Sequence, residues 1–410
     1  LIYGRFVRTA YAVVFVLIAP SMLLGLLLGV PVAAVYILVT AILLLKFGHY
    51  ISWEICFRRL ISEAVGRRVR FRLRKTHKLP YGYRFVLVLP VSVDGNQLVK
   101  KSDALSQHLG IPLRLFYSME ALEIDLGDRK TFSSVVRYGD FYRNLPAIQG
   151  ELVFGIGRTP FGSLYADLAS LPHVLIGGLT GSGKTAFLRQ MLVWLCETNA
   201  PTSLKIFAID MKGTELTFIT DLPHLAAYPA FTYAEAVDTL ESLVEELHSR
   251  RKLFGEVNSP DIELYRSRTG TTPHRIILVS DELAELTGYE NQRGFRGKRR
   301  AIQAISTLAR LGRAFGIHLV LATQRPDAEV LPGQIKANLP ATMAFRCRSE
   351  VNSRILLGEQ NSDAAHLPPV PGRGIWQHER NELVQAVYLD YSEAEKRINK
   401  IKQTLQLGVN

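Results

Sequence analysis

From Val7 to Phe47 the chain is almost wholly apolar, with no charged residue between Arg8 and Lys46 and a break at Gly29-Val30-Pro31. A run of that length predicts two membrane-spanning helices, each needing roughly 20 apolar residues, at about Thr9–Leu28 and Val32–Ser52. The second passes Lys46, whose stem lets the ammonium group reach the interface. Beyond this hairpin the pattern changes. Tyr83–Val93, rich in Val, Leu and Phe, predicts a strand; Lys101–Leu109 has helical polarity; Leu113–Leu126 predicts one or two more strands. These make a small α+β unit. From Leu171 onward, strand-like runs (Val174–Ile176, Lys205–Asp210, Arg275–Val279, His318–Ala322, Ala341–Phe345) interleave with amphipathic ones (Ala186–Glu197, Tyr233–Phe254, Lys298–Phe315). Such alternation predicts a parallel sheet flanked by helices. The expected division is a hairpin over 1–53, a basic connector over 54–78, an α+β domain over 79–150, an α/β domain over 151–391 and a polar helix within 392–410.

Charge changes the picture mainly by its position. Residues 1–75 carry Arg5, Arg8, Lys46, Arg58, Arg59, Arg67, Arg68, Arg70, Arg72, Arg74 and Lys75 against Glu54 and Glu63, which is most of the formal +12. The excess therefore points to a juxtamembrane segment before it points to nucleic acid. Basic residues on both outer flanks of the hairpin predict a multi-pass protein of the cell membrane, with both ends in the cytoplasm. Cys56, Cys196 and Cys347 are scattered, a spacing that suggests neither a zinc site nor a disulfide framework.

Candidate chemistry is concentrated after Leu171. Gly178-Leu179-Thr180-Gly181-Ser182-Gly183-Lys184-Thr185 follows a predicted strand and opens a predicted helix, the context that gives a Walker A pattern its meaning. Glycines let backbone N–H groups close around phosphates, Lys184 reaches the β and γ phosphates of ATP, and Thr185 holds Mg2+ through its hydroxyl. The apolar strand Arg275–Val279 delivers Asp281 and Glu282. Asp281 belongs near the metal and Glu282 polarises the attacking water, and this second acid points to hydrolysis rather than switching. A third strand ends in Thr323-Gln324-Arg325-Pro326, placing Gln324 at the same sheet edge to sense the γ phosphate or orient the water.

These runs, in order, resemble the motor domain of the FtsK/SpoIIIE DNA translocases. The likeness rests on Ala166-Asp167-Leu168, Leu171-Pro172-His173, the Walker A run, Ile209-Asp210-Met211-Lys212 with Glu215-Leu216, and Leu222-Pro223-His224-Leu225. It continues through Asp281-Glu282, Arg313-Ala314-Phe315-Gly316-Ile317-His318, Thr323 to Pro326, Gly333 to Asn338, and Ser353-Arg354. The resemblance implies a RecA-like P-loop ATPase core, a homo-hexamer around duplex DNA contacted without sequence preference, and an arginine donated across subunits. Arg313 and Arg354 match family positions, with Arg346 a rival. A basic stretch from Gly288 to Arg300, with Arg293, Arg296, Lys298, Arg299 and Arg300, reads as a pore loop for DNA. Two spans, a short connector and no terminal winged-helix module make the layout similar to coupling proteins of conjugative plasmids and integrative elements in Gram-positive bacteria, the TcpA type. That likeness implies relaxase and transfer-channel partners. Chromosome partitioning and type VII-like protein secretion are the alternatives.

Overall fold

In the computed structural model, the described residues are 57–406 apart from 59–60, 63, 67–68, 80–81, 119–120, 129–134, 144–149 and 288–293. The expected membrane hairpin lies outside them, and among the described residues no helix is long and apolar enough to cross a membrane. The chain divides into two compact units, one up to residue 131 and one from residue 132 on.

The first unit is a four-stranded antiparallel sheet. Its strands are β1 (Arg72–Leu79), β2 (Gly82–Val88), β3 (Leu113–Ser118) and β4 (Ala121–Gly127), in the order β1-β2-β4-β3. Helices Gly95–Lys100 and Ser102–Leu109 fall between β2 and β3. Phe85, Leu87, Leu115, Leu122 and Ile124 alternate onto a buried face together with Phe57 and Ile61. Two expectations are corrected here. The predicted strand at Tyr83–Val93 stops at Val88, where Pro90 begins a turn. Arg72–Leu79, read as part of a tether because of its charges, is instead an edge strand, with a register shift between Leu73 and Lys75. Lysines and arginines suit an exposed edge, because charge there discourages pairing with other chains.

The second unit is built on a ten-stranded sheet. Five parallel strands form one half of it, ending at β9 as an edge: β8 (His173–Gly177), β9 (Leu204–Ile209), β10 (Arg275–Ser280), β11 (Ile317–Thr323) and β12 (Ala341–Phe345), ordered β12-β8-β11-β10-β9. β8, β10, β11 and β12 are buried at every position, which is why they read as unbroken apolar runs. Alternate residues serve opposite cores. Val174, Ile176, Ile277, Val279, Val320 and Ala322 join one, while Leu175, Ile276, Leu278, Leu319 and Leu321 join the other. The helix Lys184–Thr198 packs into the first core and helices Tyr233–Glu256 and Gly294–Leu311 into the second. Thr232 and Glu235 form a reciprocal capping box that starts the longest of these.

The expected parallel sheet is present in these five strands, but the sheet as a whole is mixed. β13 (Arg373–Gln377), β14 (Asn381–Tyr388), β6 (Val153–Thr159) and β7 (Gly162–Asp167) extend it antiparallel beyond β12, and β5 (Val136–Arg137) runs parallel beside β14. Hairpin-linked strands need no crossover helix, so no helical period marked them in the sequence. The C-terminal helix, Tyr391–Gln406, packs Ala394 and Ile398 into the first core.

Candidate nucleotide site

Strand register assembles the site. Thr323 of β11 and Ala344 of β12 both pair with Gly177 at the end of β8, and Ser280 of β10 pairs with Ile209 of β9. The loops following Gly177, Ile209, Ser280 and Thr323 therefore leave the same carboxyl edge, where chain order reverses on either side of β8 and ligands collect in such sheets.

The Gly178–Gly183 loop is held in place by its surroundings. Leu179 N donates to Arg346 O at 2.9 Å, and Gly372 N donates to Ser182 O at 2.8 Å. Gly183 has φ +116°, and a Cβ there would lie 2.7 Å from Gly372 N, so this position needs glycine for both conformation and space. Gly183 caps the Lys184–Thr198 helix without a side-chain bond. The backbone N–H groups of the first turn are thus left for an anion at the positive end of the helix.

Around this loop lie two buried groups of opposite charge without partners. Lys184 is 4% exposed and its Nζ has no hydrogen bond among the described residues; Asp281 is 2% exposed and neither carboxylate oxygen has one there. Burial raises Asp281 to about 6, with Glu215 and Asp210 adding to the rise against the pull of Lys184 and Lys212. Buried charge left unpaired is costly, and a ligand would offset that cost here: Lys184 suits a phosphate, and Asp281 with Thr185 suits a magnesium ion. Glu282 has the opposite character. Its Oε1 accepts from Thr323 Oγ1 at 2.7 Å, both oxygens accept from Gln324 N at 3.1 Å, and Lys212 Nζ stands 3.6 Å from Oε2. Thr180 Oγ1 donates to Gln324 Oε1, linking the phosphate loop to the strand that holds Glu282. A cavity of about 490 Å³ opens over the loop, with Thr180, Lys184, Thr185 and Arg189 on one side and Pro371, Gly372 and Tyr388 on the other.

The structure thus brings together Gly178 through Thr185, Asp281, Glu282 and Gln324. The three arginines separate. Arg346 sits beside the phosphate loop of its own chain through its carbonyl. Arg354 is ion-paired with Glu350 at 2.7 Å. Arg313, exposed in the turn before β11, lies at the opposite, amino edge of the sheet, on a cavity of about 690 Å³ shared with Arg251 and Arg310. The basic stretch is corrected in part. Arg293 falls outside the described residues, but Gly294–Leu311 is a helix containing Arg296, Lys298, Arg299 and Arg300. Arg300 Nε donates to Glu241 Oε1 at 2.6 Å, so that cation already has a partner. Glu215 and Lys212 carry no signal of their own in the sequence beyond the run Ile209 to Leu216, and Gly372 and Tyr388 have no local signal, since they reach the site from a distant hairpin.

A P-loop with one buried acidic pair on a mixed α/β sheet defines the class: the fold is that of the P-loop ATPases. Residues 147–328, which hold the phosphate loop, the acidic pair and Gln324, match the FtsK/SpoIIIE family model. The DNA translocase FtsK of Caldanaerobacter subterraneus subsp. tengcongensis is 29% identical over 331 residues, covering 78% of this chain and 45% of that protein. That of Campylobacter jejuni is 34% identical over 233 residues, covering 55% and 23%. The chain spans less than half the length of the curated relatives it matches. Among solved structures, the pCW3 conjugation coupling protein TcpA, in monomer form with ATPγS, is 26% identical with a TM-score of 0.59, over 84% of this chain and 98% of that one. The cytoplasmic domain of the type VII secretion ATPase EccC of Thermomonospora curvata is 25% identical with a TM-score of 0.56, over 66% and 34%.

Proposed function

We propose that the chain is a membrane-anchored, ATP-driven DNA translocase that serves as a conjugative coupling protein. The observation that carries the reading is the unpaired, buried Lys184 and Asp281 beside a fully held Glu282, within the region that matches the FtsK/SpoIIIE family model. Similarity over nearly the whole of the solved TcpA chain supports the coupling role. Lys184 and the Gly178–Gly183 backbone bind the ATP phosphates. Thr185 and Asp281 hold Mg2+, which supplies charge neutralisation at the phosphates when bound. Glu282 takes a proton from the attacking water, and Gln324 registers the γ phosphate through its link to Thr180. Arg313 is the favoured trans arginine, because it is exposed at the far edge of the sheet while Arg354 is paired and Arg346 adjoins its own loop. The chain works as a homo-hexamer around duplex DNA, whose phosphates meet Arg293, Arg296, Lys298 and Arg299 without base readout. The apolar run before Ser52 anchors it in the cell membrane, with the described units cytoplasmic, where a relaxase and channel proteins deliver and receive the DNA.

The test is displacement of a triplex-forming oligonucleotide from duplex DNA by the purified chain. ATP-dependent displacement that stops in Glu282→Gln is expected; ATP hydrolysis without displacement overturns translocation. The curated relatives named DNA translocase FtsK favour chromosome partitioning as a second reading. Loss of DNA transfer between cells on gene deletion, with normal chromosome partitioning, supports the first. The reverse supports the second.

A further inference from the structure

We propose that Lys212 is a positioning residue for Glu282, its ammonium group fixing the carboxylate that activates water. The inference rests on Glu282 being the base. β9 ends at Ile209, paired in register with Ser280, so the turn after β9 and the acids after β10 leave the sheet side by side. That turn is fixed by Asp210. Its fully buried carboxylate accepts from the N–H groups of Gly213 at 3.0 Å, Glu215 at 2.9 Å and Leu216 at 2.8 Å. Three backbone donors on one carboxylate define the path of residues 210–216 and carry Lys212 to 3.6 Å from Glu282 Oε2.

Every other partner of Glu282 is a neutral donor: the Thr323 hydroxyl, the Gln324 N–H and, at 3.4 Å, the Ala284 N–H. Among the described residues Lys212 is its one ion-pair partner. The neighbourhood is acidic, since Glu215 and Asp210 both act on Asp281 against the pull of Lys184 and Lys212. A cation beside Glu282 offsets that field and orients the carboxylate, and an oriented ionic contact is worth more in a water-poor site than in solvent. The Glu282 side chain is 6% exposed, whereas that of Lys212 is 36% exposed. Lys212 therefore reaches inward from a loop and is replaceable without opening a core.

The experiment measures ATP turnover, KM for ATP and melting temperature of the full chain, in the wild type, Lys212→Met, Lys212→Arg, Glu282→Gln and the Lys212→Met/Glu282→Gln double variant. Lys212→Met is expected to lower kcat about tenfold or more, less than the roughly 10²–10⁴ lost with a general base, while leaving KM and melting temperature near wild type. Lys212→Arg is expected to restore most of kcat, and Lys212→Met to add no loss in the Glu282→Gln background, as for residues acting as a unit. Wild-type kcat in Lys212→Met, a rise in KM alone, or full additivity with Glu282→Gln overturns the inference. Lys212→Gln replaces the methionine variant should that one melt early, with the same expectations. Turnover retained in Glu282→Gln sinks the reading of Glu282 itself, an outcome distinct from a silent Lys212.

Discussion

β10 begins and ends in buried charge, and its two ends are treated in opposite ways. At the amino edge Arg275 is closed in: its Nε donates to Glu151 at 2.5 Å, and its other nitrogens meet Glu263 and His318. Arg250 nearby spends its guanidinium on the carbonyls of His274 and Phe315, both at 2.9 Å, and on Glu246 at 2.7 Å. At the carboxyl edge Asp281 and Lys184 are as deeply buried and have no partner. Buried polar groups in folded proteins are nearly always satisfied. Lone unsatisfied atoms occur at the amino edge too, His173 Nε2 among them, but there the buried guanidinium groups of Arg275 and Arg250 are paired, whereas at the carboxyl edge both buried charges lack a hydrogen bond and point to a ligand.

The largest expected effect breaks the open edge. Lys184→Ala is expected to weaken Mg·ATP binding by about 100-fold or more, since a charge-assisted contact to phosphate in a closed site is lost. Calorimetric titration with ATPγS checks it. Its melting temperature in the absence of nucleotide should change little, because the buried ammonium group has no hydrogen bond to lose, while Asp281 loses a nearby positive charge. The next largest breaks the closed edge. Arg275→Ala is expected to cost on the order of 2 kcal/mol of stability, less than for a fully buried pair because Glu151 and Glu263 are partly exposed to solvent. Denaturant midpoints measure this, and ATP binding by the folded fraction should stay unchanged.

Acid separates the two edges by sign. Burial lowers His173 to about 4 and His318 to about 3. The unfolded chain then takes up protons that the folded one refuses, so this contribution is complete above about pH 6.5 and is lost as pH falls through about 4 for His173 and about 3 for His318. Asp281 behaves in reverse. Raised from 3.8 to about 6, it binds a proton more readily when folded, so its contribution is complete below pH 3.8 and is lost as pH rises through 6. Asp281→Asn should therefore gain stability over the wild type between pH 5 and pH 8, on the order of 1–2 kcal/mol by chemical denaturation. The same ionisation is needed to hold Mg2+, so metal-dependent ATP affinity of the wild type should fall as pH drops below about 6. The smallest effect is expected at the surface: Arg300→Ala breaks an exposed pair with Glu241 and should change stability by less than about 1 kcal/mol.

The carboxyl edge was legible in sequence because its parts are local. Each of β8, β10 and β11 is a buried parallel strand, hence a continuous apolar run, and each is followed directly by the residues that matter: Gly178 to Thr185, Asp281-Glu282, and Thr323-Gln324. The amino edge was not legible. Glu151, Glu263 and Arg275 meet only through the packing of a loop, a short helix and a strand far apart in the chain. β6 was missed because Gly155 and Gly157 dilute its pattern, and β1 because five basic positions in Arg72–Leu79 resemble a solvated tether more than a strand. Lys212 was visible as part of a matching run, but its contact with Glu282 depends on the register of β9 against β10, which no local pattern encodes.

The rate of ATP hydrolysis by the purified chain, with and without duplex DNA, separates a DNA motor from its alternatives. Turnover is expected to rise on adding DNA of any sequence, to fall back as salt is raised, and to vanish in Glu282→Gln. A rate indifferent to DNA, or one stimulated instead by a secreted protein substrate, rules out a DNA motor.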